Sequence, residues 1–279
     1  MWEKFNVAKT RFMSLAIFVC ASCIQAAMGV GSAFAGSTTA PGYTSGLPIY
    51  AIGPEGLLLV NQTASGFQSP NGQEVRYNTE LPFLVYQSNW DLLGGKVTLV
   101  MTPTLLETSV ENGPYKRGFF NTYGGVQVNW KLADGFYVGY RLSGYVPQGG
   151  PLALDYGTIE QRAGFTYLKD GWQATVNLMY GTPIGDANDY GIVDWSITRS
   201  LGKWAVGIVG QGELDLNTVG GAAKQSEFAM GGLVSYDFGG KILQLKLTRD
   251  LVAENYADKQ TVFWTNFIVP LWSPEAASR

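Results

Sequence analysis

Alternation of apolar and polar residues with a period of two is the feature that most constrains the fold of this chain. It is clearest at 136–143, 172–178 and 242–248 (FYVGYRLS, WQATVNL and ILQLKLT). A period of two puts successive side chains on opposite faces of a β-strand, so each segment has one apolar and one polar face. After residue 36 no run approaches the roughly 18 uninterrupted apolar residues of a membrane helix. The sequence therefore predicts an all-β fold.

The links between these strands alternate in length. Short glycine-rich turns are predicted at 93–95, 133–135, 169–171, 201–203 and 238–240. Longer polar links are predicted at 68–75, 109–118, 147–156, 182–189, 216–226 and 253–259. Outer-membrane barrels have tight turns at the periplasmic rim and longer loops outside the cell. The pattern predicts a closed antiparallel up-and-down transmembrane β-barrel of about twelve strands, with both ends at the periplasmic rim.

An apolar outer face also gives a physical reason for closure. Lipid offers no hydrogen bonds, so every backbone N–H and C=O group of a spanning segment must pair within the protein. A closed barrel achieves this and leaves no edge strand. A soluble β-sandwich is the alternative fold. It would turn its apolar face inward and would not require alternating link lengths.

The first 35 residues have the features of a secretory signal peptide. A positive start that includes Lys4 and Arg11 precedes a mostly apolar stretch, and Ala33-Phe34-Ala35 supplies a small-x-small cleavage site. We therefore expect the mature chain to begin at Gly36. A lipoprotein signal that ends at Cys23 is the alternative. Because both cysteines lie before residue 36, cleavage at Ala35 leaves no thiol chemistry.

The mature chain then divides into three parts. Residues 36–55 are predicted to be a periplasmic segment, either a loose tail or a plug for the barrel; an apolar patch at 47–52 motivates the plug hypothesis. Residues 56–272 form the barrel. Residues 273–279 form a short C-terminal tail after the last strand.

Five tryptophans indicate which rim of the barrel is which. They lie near the short turns or close the last strand, at Trp90, Trp130, Trp172, Trp204 and Trp272. Tryptophan is enriched at the membrane–water interface, where its ring is apolar and its N–H can reach water. We expect these residues to form an outward-facing aromatic girdle at the periplasmic rim.

The polar face of the strands predicts the side chains that line the lumen. The charged candidates are Glu80, Arg141, Glu160, Arg162, Asp194, Glu213 and Lys246. One interpretation is mutual neutralisation, because burying an unpaired charge is costly. The other is a selectivity constriction in which Arg141 and Arg162, on neighbouring strands, face carboxylates across the wall.

Two prolines fall inside predicted strands. Counting back from the turn at 93–94 makes Pro82 and Pro103 near neighbours across a hairpin. Proline cannot donate a hydrogen bond to the ladder, so it weakens the wall or marks a bulge. We expect either an ordinary bulge or a lateral opening through which an apolar solute leaves the lumen for the bilayer.

Composition disfavours several other functions. The sequence contains no histidine, and carboxylates are then the main remaining groups for acid–base catalysis. No cofactor motif or Asp-rich calcium loop is present, so neither a cofactor nor a metal site is expected. The net charge is −3, which disfavours nucleic acid as a partner. The expected partners are outer-membrane lipid, a small-molecule solute and the barrel-assembly machinery.

The sequence also resembles a known family. Residues 54–61 (PEGLLLVN), which open the first strand, together with a loop and repeated Gly-aromatic hairpins, resemble the outer-membrane proteins assigned to transport in the MetA pathway of phenol degradation. The resemblance implies a barrel in the bacterial outer membrane and uptake of hydrophobic or aromatic compounds. The expected function is passive diffusion of such molecules through the lumen. A structural or adhesive barrel that acts through its external loops is the alternative.

Overall fold

The computed structural model describes residues 36–219 and 223–274, and the predicted signal peptide and the end of the C-terminal tail lie outside them. The described chain forms twelve antiparallel strands and one short 3-10 turn at Pro70–Gly72. The strands are β1 (Gly56–Gln68), β2 (Val75–Leu92), β3 (Gly95–Val110), β4 (Tyr115–Ala133), β5 (Phe136–Val146), β6 (Thr158–Lys169), β7 (Trp172–Pro183), β8 (Tyr190–Leu201), β9 (Trp204–Asp215), β10 (Ser226–Asp237), β11 (Ile242–Glu254) and β12 (Thr261–Trp272).

The strands form one closed barrel in which each pairs with its neighbours in sequence. The first and last strands close the ring, with pairs from Leu57↔Trp272 to Phe67↔Thr261. This is the up-and-down barrel of twelve strands that the sequence predicts, and that prediction is confirmed. Among the described residues, no helix is both long and apolar enough to cross a membrane.

The two rims differ in how their strands are joined. At one rim, hereafter the short-turn rim, two-residue turns such as Leu93-Gly94 and Asp170-Gly171 join the strands. All four residues have positive φ, at 51° and 77° in the first turn and 52° and 74° in the second. Positive φ at both central positions defines the type I′ turn, whose twist matches that of a hairpin. The opposite rim carries the longer links and is hereafter the long-loop rim.

One predicted link is wrong. Residues 109–118 were expected to be a loop, but β3 and β4 continue through most of this range and leave only 111–114 between them. Glu107 and Arg117 are direct partners in this extension and form an ion pair of 2.9 Å. The polar residues in this range indicated a loop from sequence alone. In the structure, opposite charges on facing strands stabilise a ladder that continues beyond the membrane.

The outer and inner faces of the wall differ in polarity. Large apolar side chains are exposed on the outer face, among them Ile159, Leu178, Ile208 and Leu247, each at least half exposed. Many side chains buried in the interior are polar or charged. This is the reverse of a soluble β-sandwich, and it produces an apolar belt around a polar interior.

Candidate functional site

The N-terminal residues 36–55 lie inside the barrel rather than below it. They form a chain of turns, hereafter the N-terminal segment, that contacts strands on several sides of the lumen. Near the long-loop rim, the Ser37 N–H donates to Glu213 over 3.1 Å. Near the middle, the Tyr50 hydroxyl donates to Asn177 over 2.6 Å. The segment then joins β1 at Gly56, so it runs along the lumen from one rim to the other.

Asp194 and Lys246 hold the turn at residues 42–45 of this segment. Asp194 accepts hydrogen bonds from the Gly42 N–H at 2.7 Å, the Thr44 N–H at 3.0 Å and the Thr44 hydroxyl at 2.5 Å. Lys246 donates to the carbonyl oxygens of Gly42 at 2.8 Å and Ser45 at 3.0 Å. Both charged side chains are buried. These two predicted lumen residues are therefore bound to the segment's backbone and do not face an open pore.

Arg141 and Arg162 also lie in the interior, as direct partners in the β5–β6 ladder. Arg162 forms a buried ion pair with Glu160, two residues earlier on its own strand. Arg141 donates from Nε to Gln127 over 2.7 Å. Glu160 in turn accepts from Tyr190 over 2.6 Å and from Thr39 of the N-terminal segment. These residues therefore form a layer of hydrogen-bonded side chains in the lumen, and Thr39 of the N-terminal segment is part of it.

Two aromatic rings cover the Arg162 guanidinium. Its Cζ atom lies 5.1 Å from the ring centre of Tyr43, in the segment, and 4.8 Å from that of Tyr123, on β4. Lys246 likewise lies 4.6 Å from the ring of Trp264. Cation–π attraction gains strength where the cation is desolvated. These contacts help to compensate for burying the two cations.

Glu80 is not in the lumen, and the prediction for this residue was wrong. It lies exposed on the outer face of β2, opposite Thr63 and Leu105. Its neighbours Leu81 and Phe83 are buried on the inner face instead. The ladder fixes alternate residues to one face, so burial of these apolar side chains against the segment turns Glu80 outward.

Four glutamines from four strands bind the segment's carbonyl groups. Gln62 donates to Tyr43 over 2.9 Å, and Gln127 donates to Ile49 over 2.6 Å. Gln173 and Gln244 both donate to Gly46, over 3.0 and 3.1 Å. The segment makes few backbone hydrogen bonds of its own, and at Tyr43, Gly46 and Ile49 neutral amide donors from the wall satisfy its carbonyl groups.

A cavity of about 390 Å³ lies between the segment and the wall, toward the short-turn rim. The segment contributes Leu47, Pro48 and Ile49 to its lining. The wall contributes apolar side chains from five strands, namely Leu58, Val60, Phe83, Val85, Val100, Ile242 and Ile268. The glutamines Gln62, Gln127, Gln173 and Gln244 also line it. The volume and the mainly apolar lining are typical of sites for small molecules.

The two prolines lie directly opposite each other between β2 and β3. The ladder runs as far as Glu80↔Leu105 and resumes at Leu84↔Met101, and this register places Pro82 against Pro103. On the lumen side, Phe83 stacks on Tyr43 of the segment with ring centres 5.4 Å apart. The wall therefore lacks two N–H donors at a point that the segment covers from inside.

The five predicted girdle tryptophans lie on the outer face near the short-turn rim or at the end of β12. Trp90, Trp172, Trp204 and Trp272 are 43–53% exposed. Trp130 is half-buried and donates its indole N–H to the Leu93 carbonyl over 3.0 Å. By contrast, Trp264 is buried in the lumen, at 2% exposure.

Outside the strands, Asp258 joins two neighbouring loops at the long-loop rim. It accepts from the Ser69 N–H over 3.0 Å and from its neighbour Lys259 over 2.7 Å. These two backbone hydrogen bonds hold the pKa of Asp258 below its usual range, and the bond from Ser69 has the larger effect. Among the described residues, no group of three or more possible ligand side chains is placed to hold a metal ion.

Sequence reasoning missed the residues that make the site a binding site. Tyr43 was not among the candidates, and Tyr50 was noted only as part of the apolar patch at 47–52. The wall residues Gln62, Phe83 and Trp264 were not among the candidates either. Tyr43 and Tyr50 belong to a stretch without periodicity, so strand phase gives no information about them. Phe83 and Trp264 are apolar residues on the lumen face, the opposite of what the polarity rule for barrels predicts.

The fold and site define a class of protein. A closed twelve-stranded barrel with an apolar belt, a polar interior and tryptophans at one rim is an integral β-barrel protein of the bacterial outer membrane. The sequence matches the family described as "Putative MetA-pathway of phenol degradation" over residues 60–267. The match covers most of the chain, and the protein belongs to this family.

The chain is also similar to solved structures. An outer membrane channel from Pseudomonas putida F1 superposes with a TM-score of 0.68 at 13% identity, covering 81% of this chain and 98% of that one. The translocator domain of the autotransporter NalP from Neisseria meningitidis has a TM-score of 0.48 at 13% identity, covering 79% and 90%. The first likeness supports the fold. No curated protein sequence matches the chain.

Proposed function

We propose that this protein is an outer-membrane channel for small apolar or aromatic molecules, which cross by passive diffusion. The observation that carries the proposal is the cavity between the N-terminal segment and the wall. Its volume of about 390 Å³ exceeds the roughly 150 Å³ of an apolar cavity that binds benzene. A channel for polar solutes would line its lumen with polar side chains at this level. Here Leu58, Val60 and Val85 line the cavity instead.

The glutamines define what such a solute can carry. Their side chains are neutral, and each amide group has both donors and an acceptor. A phenolic hydroxyl can bond to one of them while its ring lies on the apolar lining. A charged solute would instead lose its hydration against a lining that is mainly apolar, which is costly.

Passage requires movement of the segment. The cavity lies near the short-turn rim, where Gly202, Lys203 and Trp204 contribute to its edge. Toward the long-loop rim, the layer around Glu160 and Arg162 and the segment fill the lumen. A solute from outside must therefore displace part of the segment, which acts as a plug in this proposal.

The facing prolines offer a route into the bilayer. Phe83 lines the cavity and is the chain neighbour of Pro82. In this proposal, separation of the Phe83 ring from Tyr43 opens the wall at the gap in the β2–β3 ladder. An apolar solute then leaves through the side of the wall and enters the lipid at the outer face.

In this proposal the barrel-assembly machinery inserts the protein into the membrane, and the lipid-facing belt of the barrel fixes the depth of the protein.

Uptake into proteoliposomes tests the function. The protein is expressed from its complete gene, purified from outer membranes and reconstituted, and the panel contains phenols, small aromatic acids, sugars and amino acids. We expect phenols and neutral aromatics to enter faster than in empty liposomes and sugars not to. Equal entry of sugars and aromatics would refute the selectivity, and no acceleration of any solute would refute the channel.

A matched pair of variants tests whether aromatic solutes pass through the cavity. Val60→Phe puts a ring into the cavity, whereas Leu59→Phe changes the adjacent residue, which faces outward. We expect the first variant alone to slow uptake of aromatics. Loss of uptake in both would indicate a fold defect, and no change in either would refute the cavity as the path.

A further inference from the structure

Four carboxylates gather in the lumen near the long-loop rim, hereafter the acidic cluster: Glu213, Asp215, Glu227 and Asp250. Glu213 and Glu227 are direct partners across β9 and β10, so two like charges face each other. Asp215 ends β9, and Asp250 lies on β11 as the direct partner of Ala229, two residues along β10 from Glu227. All four side chains are buried, with exposures of 3–7%.

The interior as described holds more acidic than basic side chains. Its buried ionisable residues comprise six carboxylates and three cations. Those cations, Arg141, Arg162 and Lys246, bind elsewhere, as described above. Among the described residues, no ion pair involves a member of the acidic cluster. Arg249 and Lys259 lie close enough to act on Asp250, but both are exposed, and Arg249 donates to the Lys259 carbonyl.

Two oxygens of the cluster have no hydrogen-bond partner. Oε2 of Glu213 and Oδ1 of Asp215 are buried and unbonded. Their other oxygens are occupied, since Glu213 Oε1 accepts from Ser37 N–H and Asp215 Oδ2 accepts from Asn188 and the Gln225 N–H. A buried, unpaired carboxylate oxygen is costly, so the site calls for a cationic donor.

Gly36 lies against the free oxygen of Asp215. A β-carbon built on Gly36 would be 2.0 Å from Oδ1 of Asp215, so the backbone of Gly36 lies close to that carboxylate. With an N–Cα bond of about 1.46 Å, the Gly36 nitrogen is within about 5 Å of that oxygen. Opposite charges at about 4–6 Å stabilise each other appreciably.

We propose that the acidic cluster is a receptor for the α-ammonium group of Gly36, which forms only when the signal peptide is removed. Hydrolysis of the Ala35–Gly36 bond adds one water and leaves a carboxylate on Ala35 and an ammonium group on Gly36. That ammonium group donates to Asp215 Oδ1 and Glu213 Oε2. Before cleavage the same nitrogen is a neutral amide. Processing therefore completes the site and fixes the N-terminal segment in the lumen. This inference goes beyond the proposed function, because it holds whatever solute passes.

The test compares the reactivity of amines in the mature protein purified from outer membranes. An amine-reactive acetylating reagent is applied at neutral pH, and modification of the N-terminal peptide is followed by mass spectrometry. Exposed Lys203 and Lys241 serve as internal references. We expect the Gly36 amine to react about tenfold more slowly in the folded protein than after denaturation, because only the neutral amine reacts and the carboxylates favour the ammonium form.

Isosteric variants separate an ion pair from simple burial. Asp215→Asn and Glu213→Gln keep the shape of the site but remove its charge, and each should restore most of the reactivity. Asp186→Asn, in an exposed loop, is the matched control and should leave protection unchanged. Folding of each variant is checked by its shifted migration on an unheated gel.

Three outcomes would overturn the proposal. The N-terminal peptide could begin at a residue other than Gly36. The amine could react as fast in the folded protein as in the denatured one. It could also stay protected in both charge-removing variants. Should one variant fail to fold, the rate in the unmodified protein still decides the first two points, and the other charge-removing variant decides the third. None of these results depends on uptake, so failure of the channel function would be recognised separately.

Discussion

The ring of Tyr50 occupies the space that a side chain at Gly139 would fill. A β-carbon at Gly139 would lie 2.1 Å from Cδ1 of Tyr50, and Tyr50 is fully buried. Gly139 is the direct partner of Gly164, whose own β-carbon would lie 2.8 Å from the same ring. Two facing glycines thus form the recess in which the segment is anchored.

Gly139→Ala should therefore loosen the N-terminal segment. Overpacking of this kind costs about 1–3 kcal/mol, and here the mobile partner is the segment rather than the wall. We expect higher single-channel conductance in planar bilayers. Gly232→Ala is the matched control, because a β-carbon there meets no atom within 4 Å. Equal conductance of the two variants would argue against Tyr50 as an anchor.

Asp194→Asn combined with Lys246→Met should release the turn at residues 42–45. Hydrogen bonds to charged groups contribute about 1.5–3 kcal/mol each, and several are lost here. The expected result is a larger conductance and proteolytic cleavage within the segment. Glu80→Gln, on the outer face, should change neither. If Glu80→Gln altered conductance as much as the double variant, the assignment of charges to lumen and exterior would be wrong.

Replacing Pro82 and Pro103 by threonine should restore two N–H donors to the β2–β3 ladder. We expect slower amide exchange at the neighbouring residues Phe83 and Thr104, and slower uptake of an apolar solute with unchanged conductance to ions. Pro147→Thr, in an exposed loop, controls for loss of proline as such. Equal slowing of apolar and polar solutes would count against a lateral route.

Filling the cavity should weaken aromatic binding directly. In Val60→Phe the added ring competes for the volume that a bound phenol would occupy. We expect the Kd for phenol to rise at least about tenfold, equivalent to about 1.4 kcal/mol. Isothermal titration measures this change, with Leu59→Phe as the reference. An unchanged Kd would place the binding site elsewhere.

Asp258 should give the long-loop rim a pH dependence. The N–H groups of Ser69 and Lys259 lower the pKa of Asp258 in the folded protein. The contribution of Asp258 to the stability of the folded state is therefore complete above the ordinary Asp pKa of about 3.9, and it is lost as pH falls through the lower folded-state pKa. The amide proton shift of Ser69, followed by NMR between neutral and acid pH, should titrate with a midpoint below that ordinary value. A midpoint at or above it would contradict the bond. Asp258→Asn should abolish the titration.

The fold could be predicted because it follows from local patterns. The period of two, the type I′ glycine turns and the positions of the tryptophans each depend on a few neighbouring residues. Strand phase likewise placed Arg141, Glu160, Arg162, Asp194, Glu213 and Lys246 in the interior. The same rule failed at Glu80, because burial of Leu81 and Phe83 against the N-terminal segment reverses the usual polarity of the wall.

The sequence by itself determined that this chain forms a membrane barrel with charged groups inside, since alternation and turn chemistry are written residue by residue. Only the tertiary structure decided what those charges face. Asp194 and Gly42, or Glu213 and Ser37, lie more than 150 residues apart, and no local pattern records that they meet. The N-terminal segment has no periodicity. Its path through the lumen follows from many weak contacts with the closed wall, and the shape of the cavity exists only once the two are together.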